Sequence, residues 1–249
     1  MKVKIFYYIL TPICFLLIWF LISELSLVPQ VLVPSPIKVF SYLFSNFYPL
    51  LIKPTIFTIQ LWLLGFIVGA IIGIAIGLII GYSNKIYNFF EVLIDFFRSL
   101  PSIVLLPIAV IFLGIGYAPK IFIVVFSTAL YVMINTIYGV KYGKTSKILL
   151  ARVLKMTPSQ EFKKVILPSS LPNIFAGLRI TISLSLVVAV ASEMIVSGTA
   201  GLGQKILDDM VVYNLTEMYS IILIIGLLGY FSNKIFSIVE NRLIHWKGY

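Results

Sequence analysis

The feature that most limits the fold of this chain is the length of its uncharged segments. No charged residue occurs at positions 54–84, 99–119 or 121–140, which are runs of 31, 21 and 20 residues. About 20 consecutive apolar residues are enough to carry an α-helix across the hydrocarbon core of a bilayer. Charged residues make up 11% of the chain and hydrophobic residues 60%, a composition typical of proteins with several membrane spans. We therefore predict an all-α, polytopic membrane protein.

Six spans account for the apolar pattern, and we treat residues 1–249 as a single transmembrane domain. The third span is too long for one straight helix and contains Pro101 and Pro107, so we expect a kink or a break near these prolines. The six spans are expected at about residues 5–23, 54–82, 88–116, 120–140, 172–197 and 218–240.

The distribution of lysine and arginine indicates the orientation. With the N-terminus inside, twelve basic residues that flank the spans lie in the cytoplasm and four lie outside. An excess of lysine and arginine is typical of cytoplasmic loops. We expect a multi-pass protein of the inner or plasma membrane with both termini in the cytoplasm, and we interpret the net charge of +10 as a topology signal, not as a sign of nucleic-acid binding. The inside set is Lys2, Lys4, Lys85, Lys141, Lys144, Lys147, Arg152, Lys155, Lys163, Lys164, Arg242 and Lys247, and the outside set is Lys38, Lys53, Lys120 and Lys205.

Glycine recurs at every fourth position of the second span. Residues at this spacing lie on one strip of a helix, where another helix can approach the backbone closely. The pattern predicts tight helix packing, with a flexing hinge as the alternative. The glycines are Gly65, Gly69, Gly73, Gly77 and Gly81.

A short helix is predicted after the first span, in the segment VPSPIKVFSYLF. Ser35 is a suitable N-cap and Pro36 occupies the first helical position. Apolar residues follow at helical spacing, among them Ile37, Phe40 and Phe44. This helix either lies at the membrane surface or packs against the protein, and both alternatives remain open.

A basic segment, ARVLKMTPSQEFKKVILP at residues 151–168, separates the fourth and fifth spans. Thr157 and Gln160 have the spacing of a capping box, and Pro158 holds the preferred first helical position. A helix is therefore expected to begin here, and Pro168 is expected to limit its continuation.

The whole connection, residues 141–171, is predicted to be a folded, helical, cytoplasmic projection. Thr145 or Ser146 can cap a preceding helix, which gives a helix, a tight turn and a second helix. Its basic face either rests on anionic lipid headgroups or docks into a partner subunit.

The segment resembles the cytoplasmic signature loop of the permease subunits of ATP-binding cassette (ABC) importers. That loop usually reads Glu-Ala-Ala, three residues, Gly, nine residues, Ile-x-Leu-Pro. The match ends at Leu167 and Pro168, with Val165 at the Ile position. Leu149 stands where the family has the acid, and Lys155 stands where it has the glycine of the turn. These departures remove a charge contact and a conformationally free position.

Other segments are similar to the nitrate, sulfonate and taurine branch of that family, in the same order along the chain. They are LVPSPIKVF, RSLPSIVLLPIAVIFLGIG, INTIYGV, SEMI and SGTAGLG. The resemblance implies a type I importer fold and transport of a small anion or organic solute such as nitrate, a sulfonate or taurine. It also implies a homodimer that works with a cytoplasmic ATPase dimer and an extracytoplasmic substrate-binding protein. The implied ATPase-docking residues are Ala151, Arg152, Leu154, Lys155, Met156, Thr157 and Pro158.

The chain itself is not expected to be an enzyme or to hold a cofactor or metal. A phosphate-binding loop needs Gly, four residues and Gly-Lys-Ser/Thr, but the nearest glycine cluster has Gln204 in place of the lysine. ATP and Mg²⁺ would be bound by the partner ATPase. With His245 as the only histidine, the sequence also lacks the usual constellation of an intramembrane enzyme. A self-sufficient secondary transporter or channel is the remaining alternative, although no internal repeat is evident.

Three polar residues in the spans are candidates for lining a translocation pathway. Glu193 either faces such a pathway or belongs to a structural hydrogen-bonded pair. Arg98 is expected to pair with Asp95 on the same helix face, with contact to an anion as the alternative. Asn135 is expected to bond between helices, with contact to substrate as the alternative.

Overall fold

The computed structural model describes residues 2–25, 27–142, 151, 153–198 and 201–244. Within these ranges the chain consists of helices and connecting turns, which confirms the all-helical prediction. The helices are α1 (Lys2–Glu24), α2 (Pro36–Asn46), α3 (Ile52–Tyr82), α4 (Asn84–Ser99), α5 (Leu106–Leu113), α6 (Tyr117–Tyr142), α7 (Pro158–Ile195), α8 (Leu202–Val211) and α9 (Leu215–Leu243).

Four of these helices, α3, α6, α7 and α9, are long and apolar enough to cross a membrane. Counting α4 together with Ser102–Leu113 as one bent span gives five. The apolar segment Leu10–Glu24 of α1 is shorter than a full membrane span. Six spans therefore remain a prediction, whereas a multi-pass membrane protein is supported by the described helices.

The third predicted span is broken, as expected, at Pro101. Helix α4 and the segment Ser102–Leu113 meet at an angle of 93°. Leu100 is extended, with φ −89° and ψ 127°, because a residue that precedes proline is displaced from the helical region. Pro107 stands in the first turn of α5, where its missing amide interrupts no hydrogen bond.

The glycine strip of α3 packs against α6, which confirms the packing prediction. A Cβ atom built on Gly73 would lie 2.5 Å from the carbonyl oxygen of Ala129. The backbones therefore touch at a distance that no side chain would permit. Each glycine faces a different residue of α6: Gly65 faces Val124, Gly69 faces Thr128, Gly73 faces Ala129, Gly77 faces Thr136 and Gly81 faces Val140.

Helix α6 is also in close contact with α7, through a neighbouring face. A Cβ on Gly139 would lie 3.0 Å from the carbonyl oxygen of Ser170, and α7 contributes a glycine of its own, Gly177, to the same interface. A buried hydrogen bond fixes α3 to α7 as well, because the Trp62 indole donates to the carbonyl oxygen of Ile182 at 3.0 Å. Helices α3, α6 and α7 thus form the core of the fold.

The prediction that Pro168 limits the helix after the basic turn is wrong. Helix α7 runs from Pro158 to Ile195 without interruption. A π turn at Phe162–Ile166 precedes the proline, and the Leu167 amide donates to the Phe162 carbonyl five residues earlier. A turn widened in this way shifts the hydrogen-bond register, so the helix continues past a residue that has no amide to donate.

Helix α2 packs against the protein, which is one of the two alternatives for this segment. Ser35 caps it and accepts a hydrogen bond from the Lys38 amide, as predicted. Val39 and Leu43 are buried, and the hydroxyl of Ser220 on α9 donates to the Val39 carbonyl at 3.1 Å. These contacts hold α2 at the end of α9 that is predicted to face outside.

The glycine strip predicts a site-specific loss of stability. Gly73→Ala should lower the free energy of unfolding by about 1–3 kcal/mol, because the new methyl group meets a backbone oxygen that cannot move aside. Gly226→Ala is the matched control, because a Cβ there has no described atom within 4 Å. In the control variant the new methyl group meets no described atom, so only the higher helix propensity of alanine should change the free energy of unfolding. Thermal unfolding in detergent measures both, and equal midpoints for the two variants would contradict the packing argument.

Candidate functional site

A buried carboxylate connects α3, α7 and α8 at the end of the bundle predicted to face outside. Glu193, near the end of α7, has no exposed surface. The hydroxyl of Thr58 on α3 lies 2.9 Å from both of its carboxylate oxygens and donates to them. The amide of Gly203 donates to Oε2 at 2.9 Å. Thr58 also accepts the amide hydrogen of Leu202 at 2.9 Å. One hydroxyl of α3 thus bonds both to Glu193 of α7 and to the start of α8.

The glycines of the segment SGTAGLG let the backbone approach Glu193. A Cβ on Gly201 would overlap the Glu193 carboxylate, and a Cβ on Gly203 would overlap the carbonyl oxygen of Val190. The carboxylate therefore sits directly at the N-terminus of α8, where free amides and the helix dipole stabilise a negative charge. The segment SGTAGLG therefore has glycine at positions 201 and 203 because the main chain there lies directly against the Glu193 side chain and the Val190 carbonyl.

Lys120, at the start of α6, belongs to the same region. It is fully buried and is attracted electrostatically to Glu193. A buried charge is tolerated when an opposite charge and hydrogen bonds compensate its lost hydration. Four helices thus contribute to one polar cluster at this end of the protein: Thr58 from α3, Lys120 from α6, Glu193 from α7 and the first amides of α8.

A second ionic cluster lies nearby and fixes α2, α8 and α9 together. Lys205 Nζ on α8 lies 2.6 Å from Glu217 Oε1 on α9. The other oxygen of Glu217 accepts hydrogen bonds from the Tyr42 hydroxyl at 2.6 Å and from the side-chain amide of Asn214 at 2.7 Å. Burial, followed by the bond to Glu217, raises the pKa of the Tyr42 phenol, which therefore remains a donor. Sequence reasoning missed this cluster.

Asp209 is the member of the ionic cluster whose buried charge is least compensated by a nearby positive charge. Its side chain is buried, and Lys205 lies 3.9 Å away. Burial raises the pKa of Asp209 from 3.8 to about 6, with Lys205 opposing the rise and Glu217 and Asp208 adding to it. Lys205 and Asp209 are four residues apart in the sequence, which was the one local indication of a pair.

The three predicted pathway residues do not converge on one site in this structure. Arg98 pairs with Asp95 at 3.2 Å on an exposed face of α4, which confirms the predicted ion pair. Asn135 packs against Gly177 of α7, and its side-chain amide donates to the Tyr131 carbonyl of its own helix at 2.9 Å, so its contact between helices is one of packing and not the expected hydrogen bond. Gly177 and Glu193 are separated by 16 residues of α7, or about 24 Å. A pathway role for the three residues remains a prediction.

The basic turn has the predicted capping box. The Gln160 amide donates to Thr157 Oγ1 at 3.3 Å, and the Thr157 amide donates to Gln160 Oε1 at 3.0 Å. The Met156 amide donates to the Ala151 carbonyl at 3.1 Å, which closes the turn. Lys155 has φ +50°. It stands at the family's glycine position and has the left-handed conformation that glycine adopts freely, at a cost of about 1–2 kcal/mol for other residues.

The proposed docking residues differ in exposure. Leu154 is 61% exposed, and the side chains of Lys155, Thr157 and Pro158 are also exposed. Met156 is partly buried. Ala151 is 1% exposed and lies inside the turn, not on its surface as expected. Arg152, Leu149 and the proposed upstream caps Thr145 and Ser146 lie outside the described residues.

Metal-binding side chains are not clustered in the described part of the chain: no group of three or more His, Cys, Asp or Glu side chains there is arranged to hold a metal ion. Glu193 is instead hydrogen-bonded to Thr58 and to the Gly203 amide.

Comparison with known proteins places these features in a family. Residues 69–245 match the family model described as "Binding-protein-dependent transport system inner membrane component". A probable ABC transporter permease protein of Brucella abortus (strain 2308) is 30% identical over 185 residues, which is 74% of each chain. A putative aliphatic sulfonates transport permease protein of Bacillus subtilis (strain 168) is 26% identical over 244 residues, covering 96% of this chain and 87% of the relative.

The fold is similar to that of a solved membrane transporter. A chain from an inward-facing structure of the MetNI methionine ABC transporter superposes with a TM-score of 0.69. The alignment covers 82% of this chain and 99% of the other, at 22% sequence identity. The arrangement of helices is thus shared, although the sequences have diverged widely.

The Glu193 cluster predicts that a single hydroxyl stabilises the junction of α3, α7 and α8. Thr58→Val keeps the shape but leaves the Leu202 amide without its acceptor and removes one of the two hydrogen-bond donors described for Glu193, so unfolding should become easier by about 2–3 kcal/mol. Thr58→Ser keeps the hydroxyl and should lose only about 1 kcal/mol for the missing methyl group. Thermal unfolding in detergent compares them, and equal losses in both variants would show that the hydroxyl is not responsible.

The raised pKa of Asp209 predicts a pH-dependent stability. Protonated Asp209 fits the folded state better, so its contribution is complete below the ordinary value of 3.8 and is lost as the pH rises through about 6. Asp209→Asn should therefore be more stable than the wild type at about pH 7.5, by on the order of 2 kcal/mol, and should lose this advantage near pH 4.5. Glu24→Gln, at an exposed carboxyl group outside the cluster, is the control. An advantage of Asp209→Asn that is the same at both pH values would contradict the assignment.

Proposed function

Because the chain belongs to the family of binding-protein-dependent transport system inner membrane components, and is therefore a permease subunit of the ABC importer type, we propose that it forms the solute pathway of an ATP-driven importer. In this proposal a separate cytoplasmic ATPase dimer binds ATP and Mg²⁺ and drives the conformational change. A second copy of the chain completes the pathway. An extracytoplasmic binding protein delivers the solute.

One observation supports coupling to a separate motor above all others: α7 extends far beyond its apolar span. The helix begins at Pro158, 14 residues before the predicted span at 172–197. At 1.5 Å per residue this extension carries the basic turn about 20 Å from the membrane segment. Its tip presents an exposed apolar side chain, Leu154, next to a closed, capped turn. A rigid projection of this kind suits insertion into a groove of another subunit.

Pairing with a second copy is supported by the exposure of α4. None of its residues is buried in the described chain, although it carries Phe89, Phe96 and other large apolar side chains. Together with the bent segment that follows, this helix offers an apolar face to a neighbour or to lipid. We propose that the second copy covers part of it.

For the substrate we propose a small anion, with sulfonates as the first class to test. The Bacillus subtilis relative, which aligns over almost the whole chain, is described as a sulfonate permease. Nitrate and taurine belong to the same proposal. Arg98 is half exposed and is the basic side chain we propose to meet the anion, with Asn135 and Glu193 as further pathway residues.

Reconstitution tests the proposal. Proteoliposomes that contain this chain, an ATPase encoded beside it and the corresponding binding protein should take up labelled alkanesulfonate when ATP is supplied inside. Leu154→Asp should reduce this uptake at least about tenfold, because a charge in an apolar docking groove is not tolerated. Leu243→Asp, at an exposed leucine of the same predicted side, is the matched control and should retain it.

Two results would overturn the proposed function. Uptake driven by an ion gradient, with neither ATP nor the second subunit, would indicate the secondary transporter or channel. ATP-driven uptake that is unaffected by Leu154→Asp would show that the turn does not couple the motor to the pathway.

A further inference from the structure

We propose that the ATPase which docks on this chain carries a carboxylate in its groove that pairs with Lys155, so that the turn selects an acidic partner. This inference rests on the proposed function. It goes beyond it by naming the chemistry that distinguishes the partner of this chain from the ATPases of relatives with glycine at the same position.

The backbone of Lys155 is strained. Its φ of +50° lies in the region that glycine adopts freely and that lysine rarely adopts. A strained residue that persists on an exposed turn points to a requirement of the folded, functional state. The turn itself is closed by main-chain and capping hydrogen bonds that do not use the lysine side chain. Among the described residues, no hydrogen bond or ion pair that holds the turn uses the ammonium group of Lys155.

The projection around Lys155 is strongly basic. Residues 141–166 contain seven basic residues and one acid, Glu161, which gives a net charge of +6. No ion pair joins Lys155 to a carboxylate of the described residues. A long-stemmed cation beside the exposed apolar Val153 and Leu154, which are 80% and 61% exposed, fits a groove with an apolar floor and an acidic rim.

The distance of Lys155 from the membrane segment favours a protein over the lipid surface as its binding partner. The turn lies about 20 Å beyond the predicted span, measured along α7. Attraction to anionic headgroups falls off within a Debye length, about 8 Å at physiological salt. Lys163 and Lys164, which lie nearer to the span, are better placed for the headgroups. Lys155 is placed for a subunit that approaches from the cytoplasm.

A matched pair of variants isolates the charge. Lys155→Asn and Lys155→Asp have nearly the same shape, and both residue types tolerate the left-handed conformation, so the two variants differ chiefly in charge. Each full-length variant is co-expressed with the ATPase used for reconstitution, and the affinity of the ATPase for the purified permease is measured at about 50 mM and about 500 mM NaCl. Lys163→Glu is the control for a charge change elsewhere on the projection.

The expected result is a graded, salt-sensitive loss. At low salt the affinity should fall about threefold in Lys155→Asn and about tenfold in Lys155→Asp, because an exposed ion pair is first lost and then replaced by repulsion. The difference between the two variants should shrink at high salt. Replacing the groove carboxylate of the ATPase by lysine should restore binding to Lys155→Asp.

Several outcomes would overturn the inference. Equal affinities for the wild type and both variants, or equal losses in Asn and Asp, would show that no ionic contact is made at Lys155. A loss in Lys163→Glu as large as in Lys155→Asp would show that the position is not specific. Weaker binding of Lys155→Asp to phosphatidylglycerol vesicles, with ATPase affinity unchanged, would assign the lysine to lipid. If the wild type itself retains no ATPase, the proposed function fails instead.

Discussion

Close contact between the backbones of α3 and α6 is the interaction on which the rest of the fold depends. In a membrane, apolar side chains are surrounded by apolar lipid, so burial alone does not bring two helices together. The glycine strip removes every side chain that would hold the helices apart, and the facing residues of α6 include β-branched Val124, Thr128 and Thr136. The approach extends over the whole strip, from Gly65 to Gly81. With α6 fixed in this way, its adjacent face, which includes Asn135 and Gly139, packs against α7.

The same physical device, glycine that admits a close neighbour, is used for a different purpose at Glu193. There the main chain of residues 201–203 approaches a charged side chain, and the result is a set of hydrogen bonds in place of van der Waals contact. The two ends of the molecule consequently differ. The end with Glu193 and Lys205 is held by buried ionic and hydrogen-bonded groups, whereas the end with the Lys155 turn presents exposed side chains.

Local patterns were predicted from the sequence more successfully than long-range ones. The capping box at Thr157, the break at Pro101 and the glycine strip each depend on residues close in sequence or on one helical period, and the structure confirms them. The bond from Thr58 to Glu193 joins residues 135 positions apart, and no local pattern indicates it. The continuation of α7 past Pro168 was missed for a different reason, because a π turn has no distinctive sequence pattern.

The continuity of α7 bears on how a movement at the turn would reach the far end of the protein. The helix carries the capped turn at Pro158 and the buried Glu193 cluster near its other end. A helix held at Glu193 by α3 and α8 resists translation along its axis, so a displaced turn has to bend the helix or rotate it about that cluster. The π turn at Phe162–Ile166 lies between the two ends, next to the proline, where the hydrogen-bond ladder is already disturbed. If the turn is displaced, we therefore expect the helix to bend first at this π turn.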